Sequence, residues 1–181
     1  MTIVSRPDRE LSLPIRCILS DVDGVLTDGT LDYDSQGSES KQFHVRDGLG
    51  IKRWIQSGKH FGIITARKSE MVTRRASELG ITMLAQNASD KLSVAAEMVS
   101  KLGVELSSVC YIGDDLPDLP VMRNVGLAAT PADGANDAKE TAHWVLETVG
   151  GRGAVRELIE RLMRATDTWQ SMDERGGSAG K

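Results

Sequence analysis

The sequence predicts an α/β fold in which a parallel β-sheet is covered by helices on both faces. Two observations predict it. Short apolar runs alternate with amphipathic helical patterns along the chain, and turn-forming or acidic residues separate them. The composition agrees: 181 residues, 40% hydrophobic and 27% charged, suit one soluble domain with a sizeable core.

Residues 15–20 form the first buried strand. Residues 30–44 break the rhythm, with extended pieces at 30–33 and 41–44 around a polar turn at 34–39. They read as a β-hairpin beside the strand ends. Residues 50–56 look helical, with Ile51, Trp54 and Ile55 on one face. A second strand at 61–65 precedes a helix at 69–79, stopped by Gly80, and a third strand follows at 81–85. The clearest helix is 89–102, where Leu92, Ala95, Ala96, Val99 and Leu102 recur at three and four and Gly103 ends the pattern. Strands follow at 109–112 and 126–129, with a short sixth at 143–146. The last helix, 153–163, turns Val155, Leu158, Ile159 and Leu162 inward. The core domain thus spans 15–165, after an N-terminal extension (1–14) and before a polar, glycine-rich flexible tail (166–181).

Several function classes are disfavoured. A net charge of −4 argues against a general nucleic-acid binder. No apolar run is long enough to span a bilayer, and residues 1–14 lack the apolar stretch of a signal peptide, so a cytoplasmic location is expected. Cys17 and Cys110 sit in apolar strands and read as buried, inert thiols.

The chemistry gathers at the strand ends, where open α/β sheets bind ligands. Ser20-Asp21-Val22-Asp23-Gly24 follows the first strand. Strand alternation starts Asp21 and Asp23 on the same side, where their mutual repulsion favours a divalent cation. Thr65 ends the second strand, Lys91 opens the long helix, and Gly113-Asp114-Asp115 follows the fourth strand. Any one of these is ordinary as a cap or a surface charge; their order at successive strand ends is not. A phosphate monoester is a dianion and repels an attacking carboxylate unless positive charge intervenes, which Mg²⁺ and Lys91 would supply. On this reading Asp21 is the nucleophile. Asp23 is the general acid and then the base, and Thr65 binds the transferring oxygens. Asp21, Asp23 and Asp114 hold the metal, Asp115 supports it, and Gly24 lets the backbone turn toward the phosphate.

This order resembles the haloacid dehalogenase superfamily. Its four motifs are similar to Asp21-Val22-Asp23-Gly24-Val25, Thr65, Lys91 and Gly113-Asp114-Asp115, over about residues 15–165. The resemblance implies a Rossmann-like, doubly wound core, Mg²⁺ dependence and an aspartyl-phosphate intermediate. The chain leaves no room for a cap domain between the first two motifs. Phe43-His44-Val45-Arg46-Asp47-Gly48-Leu49-Gly50-Ile51 and Gly150-Gly151-Arg152-Gly153-Ala154-Val155-Arg156-Glu157 resemble signatures of the capless 3-deoxy-D-manno-octulosonate 8-phosphate phosphatases, enzymes of lipopolysaccharide precursor synthesis. That resemblance implies a homotetramer whose neighbouring subunits replace the cap. It also implies substrate contacts from Asp23, His44, Val45, Arg46, Asp47, Gly48, Lys52, Arg67, Arg75 and Lys91, with Arg152 reaching toward a neighbour's site. Lys52 stands where arginine also occurs, and Ala66 replaces a frequent glycine, so the sugar preference stays open. A 9-phosphate phosphatase of nonulosonic acids is the alternative among enzymes. A receiver-like phosphoacceptor domain is the alternative outside them.

Overall fold

The structure is a computed structural model and describes residues 7–169. In chain order its elements are α1 (Asp8–Ser12), β1 (Cys17–Ser20), β2 (Asp32–Tyr33), β3 (Glu39–Ser40), α2 (Val45–Gln56), β4 (His60–Ile64), α3 (Glu70–Leu79), β5 (Met83–Ala85) and α4 (Lys91–Ser100). Then follow β6 (Val109–Ile112), α5 (Leu119–Met122), β7 (Leu127–Thr130), α6 (Asn136–Thr141), β8 (Trp144–Val145) and α7 (Ala154–Ala165). Six strands form one parallel sheet in the order β5-β4-β1-β6-β7-β8, and β2 and β3 form a separate antiparallel hairpin. The expected Rossmann-like sheet and hairpin insert are both present.

Strand alternation builds two cores at once. Ile18 of β1 and Cys110 and Ile112 of β6 join a layer with Trp54 of α2 and Val155, Leu158 and Leu162 of α7. Cys17 and Leu19, with Val109 and Tyr111, face the other way onto Ala95 and Val99 of α4 and Met122 of α5. Each apolar side chain sealed in these layers contributes roughly 1.5–3 kcal/mol. Both cysteines are free and buried, and burial pushes the Cys17 thiol up to about 12. The inert-thiol reading holds.

The chain runs outward from β1 through β4 to β5, then returns to add β6, β7 and β8 on the other side. The direction reverses between β1 and β6, and there the crevice beyond the strand ends opens.

Helix α2 and the hairpin depart from their expected boundaries. Helix α2 begins at Val45 rather than at residue 50. His44 caps it, its Nδ1 accepting from the Arg46 N–H at 3.3 Å. Gly48 and Gly50 are close-packing positions within it. A Cβ on Gly48 would lie 2.4 Å from Arg75 Nη2 of α3, and one on Gly50 would lie 3.4 Å from the Arg156 Cα of α7. The hairpin's return arm is Glu39–Ser40 rather than 41–44. Asp34 Oδ1 accepts from the N–H groups of Gln36 and Ser38, both at 2.8 Å, and closes the turn early.

Residues flanking the expected 15–165 unit also pack. Arg161 binds Asp8 with two bonds of 2.7 and 2.8 Å, which docks α1 on α7. Trp169 is buried, with the guanidinium carbons of Arg53 and Arg156 4.8 and 4.6 Å from its ring centroid. The first residues of the expected tail are therefore part of the packed body; 170–181 and 1–6 lie outside the described residues. Among the described residues no helix is long and apolar enough to cross a membrane.

Candidate active site

Asp21 follows β1 directly, its N–H bonded to the Ile112 carbonyl at 3.0 Å, so the end of β6 fixes its backbone. The residue is only 8% exposed. The Lys91 Nζ lies 3.0 Å from Asp21 Oδ2 and donates to Asp118 Oδ1 at 2.7 Å. Lys91 stands on the first turn of α4, which begins where Asp90 accepts the Ser93 N–H at 3.1 Å. Burial pulls the Lys91 ammonium pKa down, but Asp21 and Asp118 outweigh it and the net shift is upward.

Asp114 comes from the loop after β6. One ligand oxygen each from Asp21, Asp114 and Asp118 fall within 4.8 Å of one another. Burial first, then repulsion from Asp118, raises the Asp21 pKa to about 7. Burial, then Asp21 and Asp118, raises Asp114 to about 7 as well. Three carboxylates around one ammonium make a site that favours a further cation. The donor set, hard oxygens, fits Mg²⁺. Asp118 is not free to share in it: Oδ1 accepts from Lys91 and from the Tyr111 hydroxyl at 2.6 Å, and Oδ2 accepts the Asp114 and Asp115 N–H groups at 3.0 and 3.2 Å. Four donors use up its lone pairs. Asp21 and Asp114 are thus the carboxylates left for a metal.

The Asp23 carboxylate lies outside the cluster formed by Asp21, Asp114 and Asp118. Strand geometry ends at Ser20, and the chain then turns through N–H bonds from Val25, Leu26 and Thr27 to the Val22 carbonyl, so alternation no longer applies. The Asp23 carboxylate instead meets the Lys41 ammonium, and Arg67 Nε lies 3.8 Å from its other oxygen. Arg67 also donates to Glu39 Oε1 at 2.8 Å and to the Tyr33 hydroxyl at 3.1 Å, which ties the loop after β4 to the hairpin. The Tyr33 hydroxyl, then Glu39, raise its pKa against the opposing effect of burial.

The other expected residues divide by location. Thr65 is buried at the end of β4, its Oγ1 accepting the Arg67 N–H at 3.3 Å. Asp115 caps the turn before α5 by accepting the Leu116 N–H at 2.8 Å. Gly24 has φ +85°, and a Cβ there would lie 2.0 Å from Asp114 Oδ2, so only glycine fits. Asp47 is buried and accepts the Arg156 N–H at 2.7 Å, which caps α7 from α2; burial raises its pKa. His44, Asp47, Gly48 and Arg75 enclose only about 10 Å³ of space and are packed together rather than opened to a ligand. Val45, Arg46 and Lys52 are exposed on α2. Arg152 reaches to 3.9 Å from Asp28 on the loop after β1. Its neighbours Gly150 and Gly151 are pressed on that loop: a Cβ would lie 1.9 Å from the Gly24 carbonyl oxygen and 2.4 Å from the Asp28 nitrogen. This second glycine run is therefore a brace behind the Asp21 loop.

Sequence reasoning missed Asp118, Lys41 and Glu39. Asp118 carried a signal, because Asp-x-x-Asp around Leu116-Pro117 is the spacing of a helix capping box. Lys41 and Glu39 carried none, since a polar hairpin reads as solvated.

The chain is 45% identical over 153 residues to the 3-deoxy-D-manno-octulosonate 8-phosphate phosphatase KdsC of Yersinia pestis, covering 84% of this chain and 82% of that protein. The chain belongs to the 3-deoxy-D-manno-octulosonate 8-phosphate phosphatases. The Escherichia coli K12 member of this phosphatase family is 44% identical over 83% of the chain and 80% of its own length. A crystal structure of the Moraxella catarrhalis phosphatase in complex with magnesium ion, phosphate ion and KDO superposes with a TM-score of 0.90. It is 40% identical, and the match covers 93% of this chain and 97% of that one. No family model matches the sequence. Membership in this phosphatase family sets aside the receiver-like alternative.

Proposed function

We propose that this chain is a Mg²⁺-dependent phosphomonoesterase that hydrolyses 3-deoxy-D-manno-octulosonate 8-phosphate to the free sugar acid and phosphate, in the cytoplasm, as a step of lipopolysaccharide precursor synthesis. The observation that carries it is the crevice between β1 and β6, where Asp21 and Asp114 stand together beside one buried cation, Lys91, whose Nζ is 3.0 Å from Asp21 and 2.7 Å from Asp118. Asp21 attacks phosphorus, and the bond to the sugar oxygen breaks. Asp23 protonates the departing alkoxide, and then takes a proton from the water that releases phosphate from Asp21. Lys91 and the Thr65 hydroxyl bind the oxygens of the transferring group. Mg²⁺, held by Asp21 and Asp114, would offset the negative charge of carboxylates and phosphate when bound.

Arg67 is our choice for the substrate carboxylate, because its guanidinium already holds a carboxylate, that of Glu39, at 2.8 Å. A homotetramer fits the apolar side chains left on the crevice side of the molecule. Val45 is 78% exposed and Leu49 49% on α2, and Tyr33 is 54% exposed on the hairpin. Arg46, Lys52 and Arg152 would then serve an adjoining subunit.

Replacing Asp21→Asn is expected to abolish hydrolysis while leaving the thermal transition in place; substantial residual turnover refutes the nucleophile. Turnover on eight- and nine-carbon sugar acid phosphates separates the proposed substrate from a nonulosonic acid 9-phosphate. A preference for the nine-carbon ester would overturn the eight-carbon assignment.

A further inference from the structure

We propose a second anion site on this molecule: the cleft between α1 and α7 binds a polyphosphate group, free or carried on a nucleoside. The cleft has a volume of about 760 Å³, within the roughly 300–1,000 Å³ of small-molecule sites. Its charge makes the case. Six arginines line it against three acids, Asp8, Glu157 and Glu160, on a chain whose net charge is −4.

The acids are already committed. Asp8 is held by both arms of Arg161. Glu160 accepts from Arg156 at 3.0 Å and from Arg164 at 2.6 Å. The Glu157 oxygens take the N–H groups of Glu147 and Thr148 at 2.9 and 2.8 Å. The surplus is cationic. Arg46 has no carboxylate partner among the described residues, Arg152 stands 3.9 Å from Asp28, and Arg9 pairs with the exposed Asp167 and donates to the Ala165 carbonyl at 3.2 Å. One end of the cleft, at Arg46 and Arg152, lies toward the loop after β1, where Arg152 faces Asp28. The other, at Arg9, Arg161 and Arg164, follows α7 away from it, and no catalytic role touches that end.

The chemistry of the walls selects the ligand. A guanidinium presents paired N–H groups that match two oxygens of one phosphate. Several such forks along a helix match a chain of phosphates better than a single one. The acids Asp8 and Glu160 fix their arginines in place, so little freedom is lost on binding.

The test is calorimetric titration of the full chain at low salt without Mg²⁺, where the uncompensated carboxylates of the catalytic crevice repel anions. The probes are tripolyphosphate and a nucleoside triphosphate. We expect one-to-one binding that weakens steeply with added salt. It should weaken at least tenfold in the double variant Arg9→Gln, Arg164→Gln, whose side chains are both more than half exposed and leave basal turnover and the thermal transition unchanged. Equal affinity for the two probes assigns the site to the phosphate chain alone; tighter binding of the nucleotide adds a contact to the base. No binding of either probe at millimolar concentration, or undiminished binding in the variant, overturns the proposal.

Discussion

The floor and the rim of the crevice are both dense in charge, yet they balance it differently. On the floor, Asp21, Asp114 and Asp118 surround a single buried ammonium, Lys91. On the rim, Asp23 and Glu39 meet two cations, Lys41 and Arg67. The floor carries an excess of negative charge inside the protein, and two of its carboxyls titrate near 7 as a result. The rim is neutral by itself, and Arg67 is partly open to water. The difference teaches how each responds to a ligand. The floor is completed by adding a divalent cation. With Arg67 as the proposed partner of the substrate carboxylate, the rim would be opened instead, the incoming anion taking Arg67 from Glu39.

The largest way to break this contrast is to remove the one cation of the floor. Lys91→Met should abolish turnover and destabilise the fold by about 3–5 kcal/mol at pH 8, the cost of leaving buried charge uncompensated. Urea denaturation measures it. The cost should shrink at pH 5, where Asp21 takes up a proton instead. An equal cost at both pH values would mean that Asp21 is not the strained group.

A smaller effect sharpens the same point through metal and pH. Asp21 and Asp114 have folded pKa values raised to about 7, above the ordinary carboxylate range of about 4 in the unfolded chain. Between those limits the folded state binds more protons than the unfolded one. Stability from these groups is therefore full below about pH 4 and is lost as pH rises through about 7. Mg²⁺ should restore it, so the rise in melting temperature on adding Mg²⁺ should be large at pH 8 and small at pH 5. A shift independent of pH would place the metal elsewhere.

The rim should give the smallest structural effect. Arg67→Ala removes partly exposed pairs worth about 1 kcal/mol or less in stability, but it should raise KM for the sugar acid phosphate roughly tenfold, as loss of a charged hydrogen bond does. Glu39→Gln should move KM the other way. If Arg67→Ala lowers kcat alone, the arginine acts on Asp23 rather than on the substrate.

The motif acids and Lys91 were legible because each sits at a strand end or a helix start. Covalent neighbours and period place those positions: Ser20 closes β1, Ile112 closes β6, and Lys91 opens α4. The alternating pattern likewise announced the sheet, its two covered faces and the inward side of α7. Long-range pairing was not legible, because it joins residues that no local rule connects. Only tertiary structure paired the Asp23 carboxylate with Lys41, and used the Asp47 carboxylate to cap α7 from α2. Only tertiary structure made Asp118 the hub that fixes Lys91, Tyr111 and the Asp114 backbone. The physical reason is that backbone period sets where a side chain starts. Where a charged side chain ends depends on which counter-charge the packed fold brings within about 3–4 Å of it.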